Sequence, residues 1–497
     1  MKFEEYRQHD ATSLANLVKK KEITPTQLLD TAIKRNEEVN PRINAVVTPL
    51  YKEAAEQIKN LDLNSPFAGV PFLLKDLDAQ LKGTRYTCGT RLLKDFVSTE
   101  SSEVVNRIQK GGLVIFGKTN TPEFGLTPFT ESELLGPARN PWNLNHTTGG
   151  SSGGAGASVA AGIVPMAFAS DGGGSIRIPA SCNGLFGIKP TRGRITNGPH
   201  YGEVWSGAVC SGIVSRSVRD AAAYLDLVSG AMKGDPYTVP LPTKPYAEEI
   251  KTAPRKLKIG YSYQMPEGLK ADIDEENIRA IETTVKLLRE AGHEVTEVPL
   301  PFTHQLNAEL LYTLVLGELS STLDNIGEQR GSKPQRHELE PNTWLLYKLG
   351  KSFSANAFAL ARLKWNLVNR KMADFHTQYD LLLTPTLGRR PFKLGALKNP
   401  PFEEAALRVM NALGISTIVR YTGMIEKIAA QTFSWIPYPA LANITGQPSM
   451  TVPLHWAPEN LPVGVMFTAP HGDEGTLFQL AAQLEQAQPW FNKVPTL

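Results

Sequence analysis

The stretch Gly149–Ser181, "GGSSGGAGASVAAGIVPMAFASDGGGSIRIPAS", decides how the rest of the chain is read. Its first half is built of residues small enough to let a helix or a second backbone approach closely, and "IVPMAFA" reads as a buried strand. From Thr147 to Ser170 there is no charged residue, which invites a membrane reading. Six glycines, four serines and Pro165 make the segment too polar and too broken for that, so burial inside the protein explains it. Three consecutive glycines, Gly172, Gly173 and Gly174, then stand ahead of Ser175. They leave successive N–H groups unobstructed, and a chain free to take positive φ can turn several of them toward one point, as an oxyanion hole requires. Ser175 sits where a nucleophile would. The plainer reading is a glycine-rich turn packed against a helix, with Ser175 as its N-cap.

Composition limits what surrounds this stretch. With 497 residues, 41% hydrophobic, 20% charged and 41 glycines, the chain is an ordinary globular protein able to bury a sizeable core. A formal charge of +3 leaves no basic stripe or acidic tail, so neither nucleic acid nor a membrane surface is an expected partner. Cys88, Cys182 and Cys210 are odd in number and widely spaced, which predicts neither disulfides nor a zinc site. The histidines are dispersed without ligand spacing, so no metal is expected. The first residues carry charges where a signal peptide would be apolar, and a cytoplasmic location is the expectation.

Outward from the glycines, strands alternate with helices, the pattern of an α/β protein. On the N-terminal side, Thr24, Pro25 and Gln27 form a capping box ahead of a helix. "AGVPFLLKDLD" (68–78) and "GGLVIFGKTN" (111–120) read as buried strands that deliver Lys75 and Lys118 at their ends. On the C-terminal side "LFGIKPTRGRI" (185–195) reads as a strand and turn. The proline-rich stretch 232–256 reads as a linker or surface excursion. A βαβ-like unit follows, from "LKIGYSY" (257–263) through a helix bearing Ile278, Ile281, Val285 and Leu288 to "HEVTEVPLP" (293–301). Later come a strand in "YDLLLTPT" (379–386), an irregular region through "ANITGQPSMTVPL" (442–454) and a terminal helix.

Several familiar signals fail. Residues 150–154, "GSSGG", fit the G-x-S-x-G pattern at Ser152, but a nucleophile elbow needs a strand before it, and "NPWNLNHTTG" reads as loop. No Gly-Lys-Ser/Thr follows the glycines, so a phosphate loop is absent. A serine nucleophile still needs a base. A lysine serves if burial lowers its pKa from about 10.4 toward 7 or 8, and Lys75, behind "GVPFLL", is placed for such desolvation. A lysine snorkelling from a strand end to water is the plainer alternative.

Together these residues resemble the amidase signature enzymes. The resemblance rests on the quoted run and on "GVPFLLKD", "KTNTPEFG", "NPWN", "GIKPTRGRI" and "NITGQPSMTVP". It covers residues 25–485 as one domain, behind an N-terminal helical segment at 1–24, and looks closest to the branch with 6-aminohexanoate cyclic-dimer hydrolase and related amidases. It implies a large mixed β-sheet covered by helices on both faces. It also implies a Ser-cisSer-Lys triad acting through an acyl-enzyme: Lys75 the base, Ser151 the bridging serine on a cis peptide, Ser175 the nucleophile. The amides of Gly172, Gly173, Gly174 and Ser175 would hold the oxyanion, with Ser152 a supporting hydrogen-bonder and both Ser152 and Gly125 bordering the substrate. Many relatives carry a larger residue at the position of Gly172, so this loop is more flexible unless neighbours fix it. Asp171 and Arg177 flank it and are expected to form a charge-assisted bond.

The expected substrate is a small amide, with no cofactor and a homodimer as the candidate assembly. Carbamates and esters are chemically close. The region 300–430, with Tyr312, Trp344 and Trp365, and the nearby Phe433, suggests an apolar pocket. The competing readings are the glutaminase subunit of a tRNA amidotransferase and a binding protein that has kept the fold.

Overall fold

The apolar runs before Lys75 and Lys118 form strands that are buried along their whole length, as strands covered on both faces must be. The computed structural model describes residues 1–415 and 424–497, with side chains described outside 305–312 and 424–428. Strands β1 (Val46–Pro49), β2 (Pro71–Lys75) and β3 (Val114–Thr119) make a small sheet in the order β1-β3-β2, with β2 parallel to β3. Lys75 ends β2 as expected, whereas Lys118 lies inside β3 and pairs with Leu74. The capping box forms: Thr24 Oγ1 accepts from the Gln27 N–H at 3.2 Å and Gln27 Oε1 from the Thr24 N–H at 3.0 Å, opening the helix Pro25–Ile43.

The large sheet contains β4 (Met166–Asp171), β5 (Phe186–Lys189), β6 (Cys210–Ser215), β7 (Lys258–Tyr261), β8 (Glu294–Glu297), β9 (Leu381–Pro385), β10 (Ser449–Trp456) and β11 (Pro462–Thr468). Their spatial order is β8-β7-β9-β11-β10-β5-β6-β4. The β8-β7-β9 end is parallel and the remaining pairings are antiparallel, so the sheet is mixed. The βαβ unit is present: β7 and β8 pair in parallel around the helix Glu275–Glu290, which buries Ile281, Val285 and Leu288 on one face. One apolar core joins both sheets, with Phe72, Phe168, Ile213 and Val465 in the same cluster. No helix among the described residues is long and apolar enough to cross a membrane.

The segment 442–454 is not irregular. A buried helix, Ala440–Thr445, is stopped by Gly446 at φ +72°, and β10 follows in the middle of the large sheet. A glycine and two prolines within eight residues mimic a loop locally. The fold accommodates Pro453 where the β10–β11 register shifts between Val452 and His455, so its missing N–H interrupts no regular ladder. The segment before Ser152 also differs from expectation, since Asn143–Thr147 is a strand paired with Arg139–Asn140.

The small residues after Ser152 form the helix Gly153–Ala160, every residue of which is buried. A Cβ on Gly154 would stand 2.3 Å from the Asn120 amide nitrogen and 2.6 Å from the Ala45 carbonyl oxygen, both backbone atoms with nowhere to go. Gly154→Ala is therefore expected to lower stability by about 1–3 kcal/mol in urea unfolding through overpacking. In an exposed helix the same exchange would raise it by about 1 kcal/mol. An unchanged or raised midpoint would contradict this close approach.

Candidate active site

Three elements bring one amine and two hydroxyls together. Lys75 arrives at the end of β2, Ser170 near the end of β4, and Ser151 just before the helix Gly153–Ala160. Lys75 Nζ donates to Ser151 Oγ at 2.8 Å and to Ser170 Oγ at 2.9 Å. The Gly150–Ser151 peptide is cis. Lys75 is fully buried, and that desolvation lowers its pKa to about 8, outweighing the raising influence of Asp78 and Asp171. Ser175 lines the same cavity as Lys75, Ser151 and Ser170.

The sequence reading missed Ser170, although the same signal that selects Lys75 marks it: it is the first polar residue after the apolar run "IVPMAFA". Lys118 stays apart. Its Nζ donates to the Arg85 carbonyl at 2.5 Å and lies 5.4 Å from the centre of the Tyr86 ring. Burial also lowers its pKa to about 8, against the raising pull of Asp76.

The glycine loop is held from one side. Asp171 and Arg177 are both fully buried and joined at 2.9 Å. The Asp171 carboxylate accepts from the Gly174 N–H at 2.7 Å, the Ile176 N–H at 3.2 Å, both Nε and Nη2 of Arg177, and Asn443 Nδ2 at 2.8 Å. Burial alone would raise this carboxyl, but the Arg177 guanidinium prevails and holds it at about 2. Asn443 escaped the sequence reading because it comes from the helix Ala440–Thr445, nearly three hundred residues away in the chain.

This geometry corrects two expectations. The Gly174 amide is committed to Asp171, so Gly172, Gly173 and Ser175 remain as the candidate oxyanion donors. Gly174 itself adopts φ +127°, and a Cβ there would meet Pro439 at 2.6 Å, so its glycine character serves loop shape. Ser152 does not line the cavity. Its hydroxyl donates to the Ser170 carbonyl at 3.2 Å and accepts the Ser170 N–H at 3.3 Å, and its own N–H donates to the Ser175 carbonyl at 3.3 Å. It ties the two serine-bearing segments together.

Gly125 does border the cavity, and a Cβ there would approach Ser151 Oγ to 3.1 Å. The cavity measures about 730 Å³, and its walls are mainly apolar, with Leu77, Tyr86, Phe124, Trp205, Leu319 and Ile326 among them. Of the aromatics expected to line a pocket, Phe433 does so, in a smaller space beyond Ser175. Trp344 and Trp365 pack into hydrophobic clusters instead, and the side chain of Tyr312 lies outside the described residues. The wall residues Leu77 and Tyr86 were not legible because they sit outside helices and strands, with no periodic signal.

Residues 27–478 match the family model described as Amidase. The chain is 35% identical to 6-aminohexanoate-cyclic-dimer hydrolase of Pseudomonas sp. (strain NK87) over 494 residues, 98% of this chain and 96% of that one. The solved structure of 6-aminohexanoate cyclic dimer hydrolase complexed with substrate matches at a TM-score of 0.88, with 34% identity over 99% of both chains. A bacterial aryl acylamidase structure matches at 0.84, with 25% identity over 97% of this chain and 98% of that one. Sequence and fold agree along nearly the entire length, and this chain belongs to the amidase signature family, hydrolases of the amide carbon–nitrogen bond.

Proposed function

We propose that the protein hydrolyses small, apolar amides through an acyl-enzyme on Ser175, with Ser151 and Lys75 as its proton relay. The observation that carries this is the 2.8 Å bond from a desolvated Lys75 to Ser151 Oγ in the cavity that Ser175 and Gly172 also line. Neutral Lys75 draws the proton of Ser151 as Ser151 takes that of Ser175, and Ser175 Oγ attacks the carbonyl carbon. The amides of Gly172, Gly173 and Ser175 receive the oxyanion. Such donors are each worth about 2.7–4 kcal/mol in acyl transfer. The relay run backwards protonates the leaving nitrogen, and water then cleaves the acyl-enzyme. Among the described residues no Ser151–Ser175 hydrogen bond is present in the free site, and contacts of this kind commonly tighten only when substrate binds. The apolar walls and the volume of the cavity favour an uncharged organic amide.

Ser175→Ala is expected to lower turnover of an aryl amide by about 10³-fold or more, with an unchanged unfolding transition. Near-native turnover would remove Ser175 from the role. Glutamine supplied in the same assay separates this reading from a glutaminase subunit, for which ammonia release from glutamine would dominate.

The pH dependence follows from the sign of the Lys75 shift. Protonated Lys75 cannot accept a proton, so kcat/KM should rise about tenfold per pH unit below about 8 and level off above it. The rising limb should persist in Lys118→Gln. A limb that disappears with Lys118 rather than with Lys75 would make Lys118 the base.

A further inference from the structure

Gly172 has no conformational need to be glycine, because its φ lies outside the left-handed region. What excludes a side chain is a neighbour. A Cβ on Gly172 would stand 2.9 Å from Cε3 and 3.0 Å from Cζ3 of Trp205, and 3.0 Å from Val209 Cγ2. The indole of Trp205 occupies the space that a larger residue at 172 would fill, and it is the neighbour that fixes this part of the loop.

Trp205 is held there against its own backbone preference. It has φ +49°, and Ser206 follows at +52°. Non-glycine residues in this region cost about 1–3 kcal/mol each and persist only where surrounding structure over-determines them. Here three ties do so. Ser206 Oγ donates to Glu318 Oε1 at 2.5 Å, Arg362 donates to the Ser206 carbonyl at 3.1 Å, and Arg192 donates to the Gly207 carbonyl at 2.6 Å. Glu318 belongs to the long helix His304–Gln329 and itself lines the large cavity.

The ring so placed borders two spaces. One is the cavity of about 730 Å³ that contains Lys75. The other is a pocket of about 90 Å³ bounded by residues such as Thr127, Ile178 and Phe433. Ser175, Gly125 and Trp205 line both, so the serine stands at the junction of two very unequal spaces.

We propose that Trp205 is the specificity-determining wall of this site, separating a roomy pocket for one substituent of the scissile amide from a small apolar pocket for the other. The preferred substrate is then an amide with one short and one extended apolar arm. This rests on Ser175 as the nucleophile, and the test keeps the two separable.

The test compares acetyl hexylamide, hexanoyl methylamide and hexanoyl hexylamide. In the wild-type protein one of the two mixed amides should exceed the doubly extended one by about 100-fold or more in kcat/KM, since a single misplaced methylene already discriminates about 10–200-fold. The identity of the better mixed amide shows which arm is short. Trp205→Leu should raise the doubly extended amide at least about tenfold relative to that mixed amide, with Trp205→Phe between. Gly172→Ala should lower activity in the wild-type background and lose much of that effect in the Trp205→Leu background, because the two share one space.

A merely structural role for Trp205 would lower all three rates in parallel. Unchanged ratios, or additive effects of Gly172→Ala and Trp205→Leu, overturn the proposal. If Trp205→Leu does not fold, Trp205→Phe with and without Gly172→Ala decides by the same ratios and the same non-additivity. Hydrolysis surviving in Ser175→Ala would overturn the nucleophile reading instead, whatever the ratios.

Discussion

The buried ion pair between Asp171 and Arg177 is the constraint on which the site depends. Two fully buried charges are tolerated only when their hydrogen bonds are nearly all satisfied, and removing one partner of such a pair commonly costs about 3–5 kcal/mol. Here the satisfaction is extensive. Asp171 collects two backbone amides, the Arg177 fork and Asn443, while Arg177 reaches onward to the Pro439 carbonyl and to Asn443 Oδ1. The end of β4, the start of the helix Arg177–Asn183 and the helix Ala440–Thr445 are locked in one arrangement. The glycine loop hangs from that lock. Gly174 turns its amide inward to Asp171, while Gly172, Gly173 and Ser175 line the two cavities.

Lys75 presents the complementary problem. A cationic amine with no exposed surface is disfavoured by desolvation, which outweighs the raising pull of Asp78 and of Asp171, the latter already paired with Arg177. Two serine hydroxyls accept its N–H bonds without supplying a neutralising charge. The amine is thus solvated by hydroxyls but not stabilised as a cation, which is the environment that brings a lysine into the range of a working base near neutral pH. The two buried groups stand at opposite settings because Asp171 is hydrogen-bonded directly to a guanidinium, whereas the hydrogen-bond partners of Lys75 are neutral hydroxyls and the pull of Asp78 and Asp171 does not offset its desolvation.

The candidate site residues could be picked out in the chain because they stand in local features. Three adjacent glycines, a strand run ending in lysine and a double serine before small residues are contiguous words that can be recognised without knowing what packs around them. Even so, local reading erred where tertiary context prevails. Pro448 and Pro453 signalled a loop, yet β10 is a central strand with a register shift at Pro453. Ser152 and Gly174 belong to the right segments but spend their polar groups internally. Trp344 and Trp365 have pocket-like composition and lie in core clusters, because an apolar ring serves either purpose equally well.

By itself the sequence determined the residue types at the site, the strands that carry Lys75 and Ser170, the glycine loop and the α/β alternation, since each depends on neighbours within a few positions. Only the tertiary structure decided that Asn443 closes the ion-pair network, that Trp205 occupies the space beside Gly172, and that Ser175 lies between two unequal pockets. Those facts come from contacts between segments tens to hundreds of residues apart, and no periodicity along a chain encodes which distant side chain will fill a given gap.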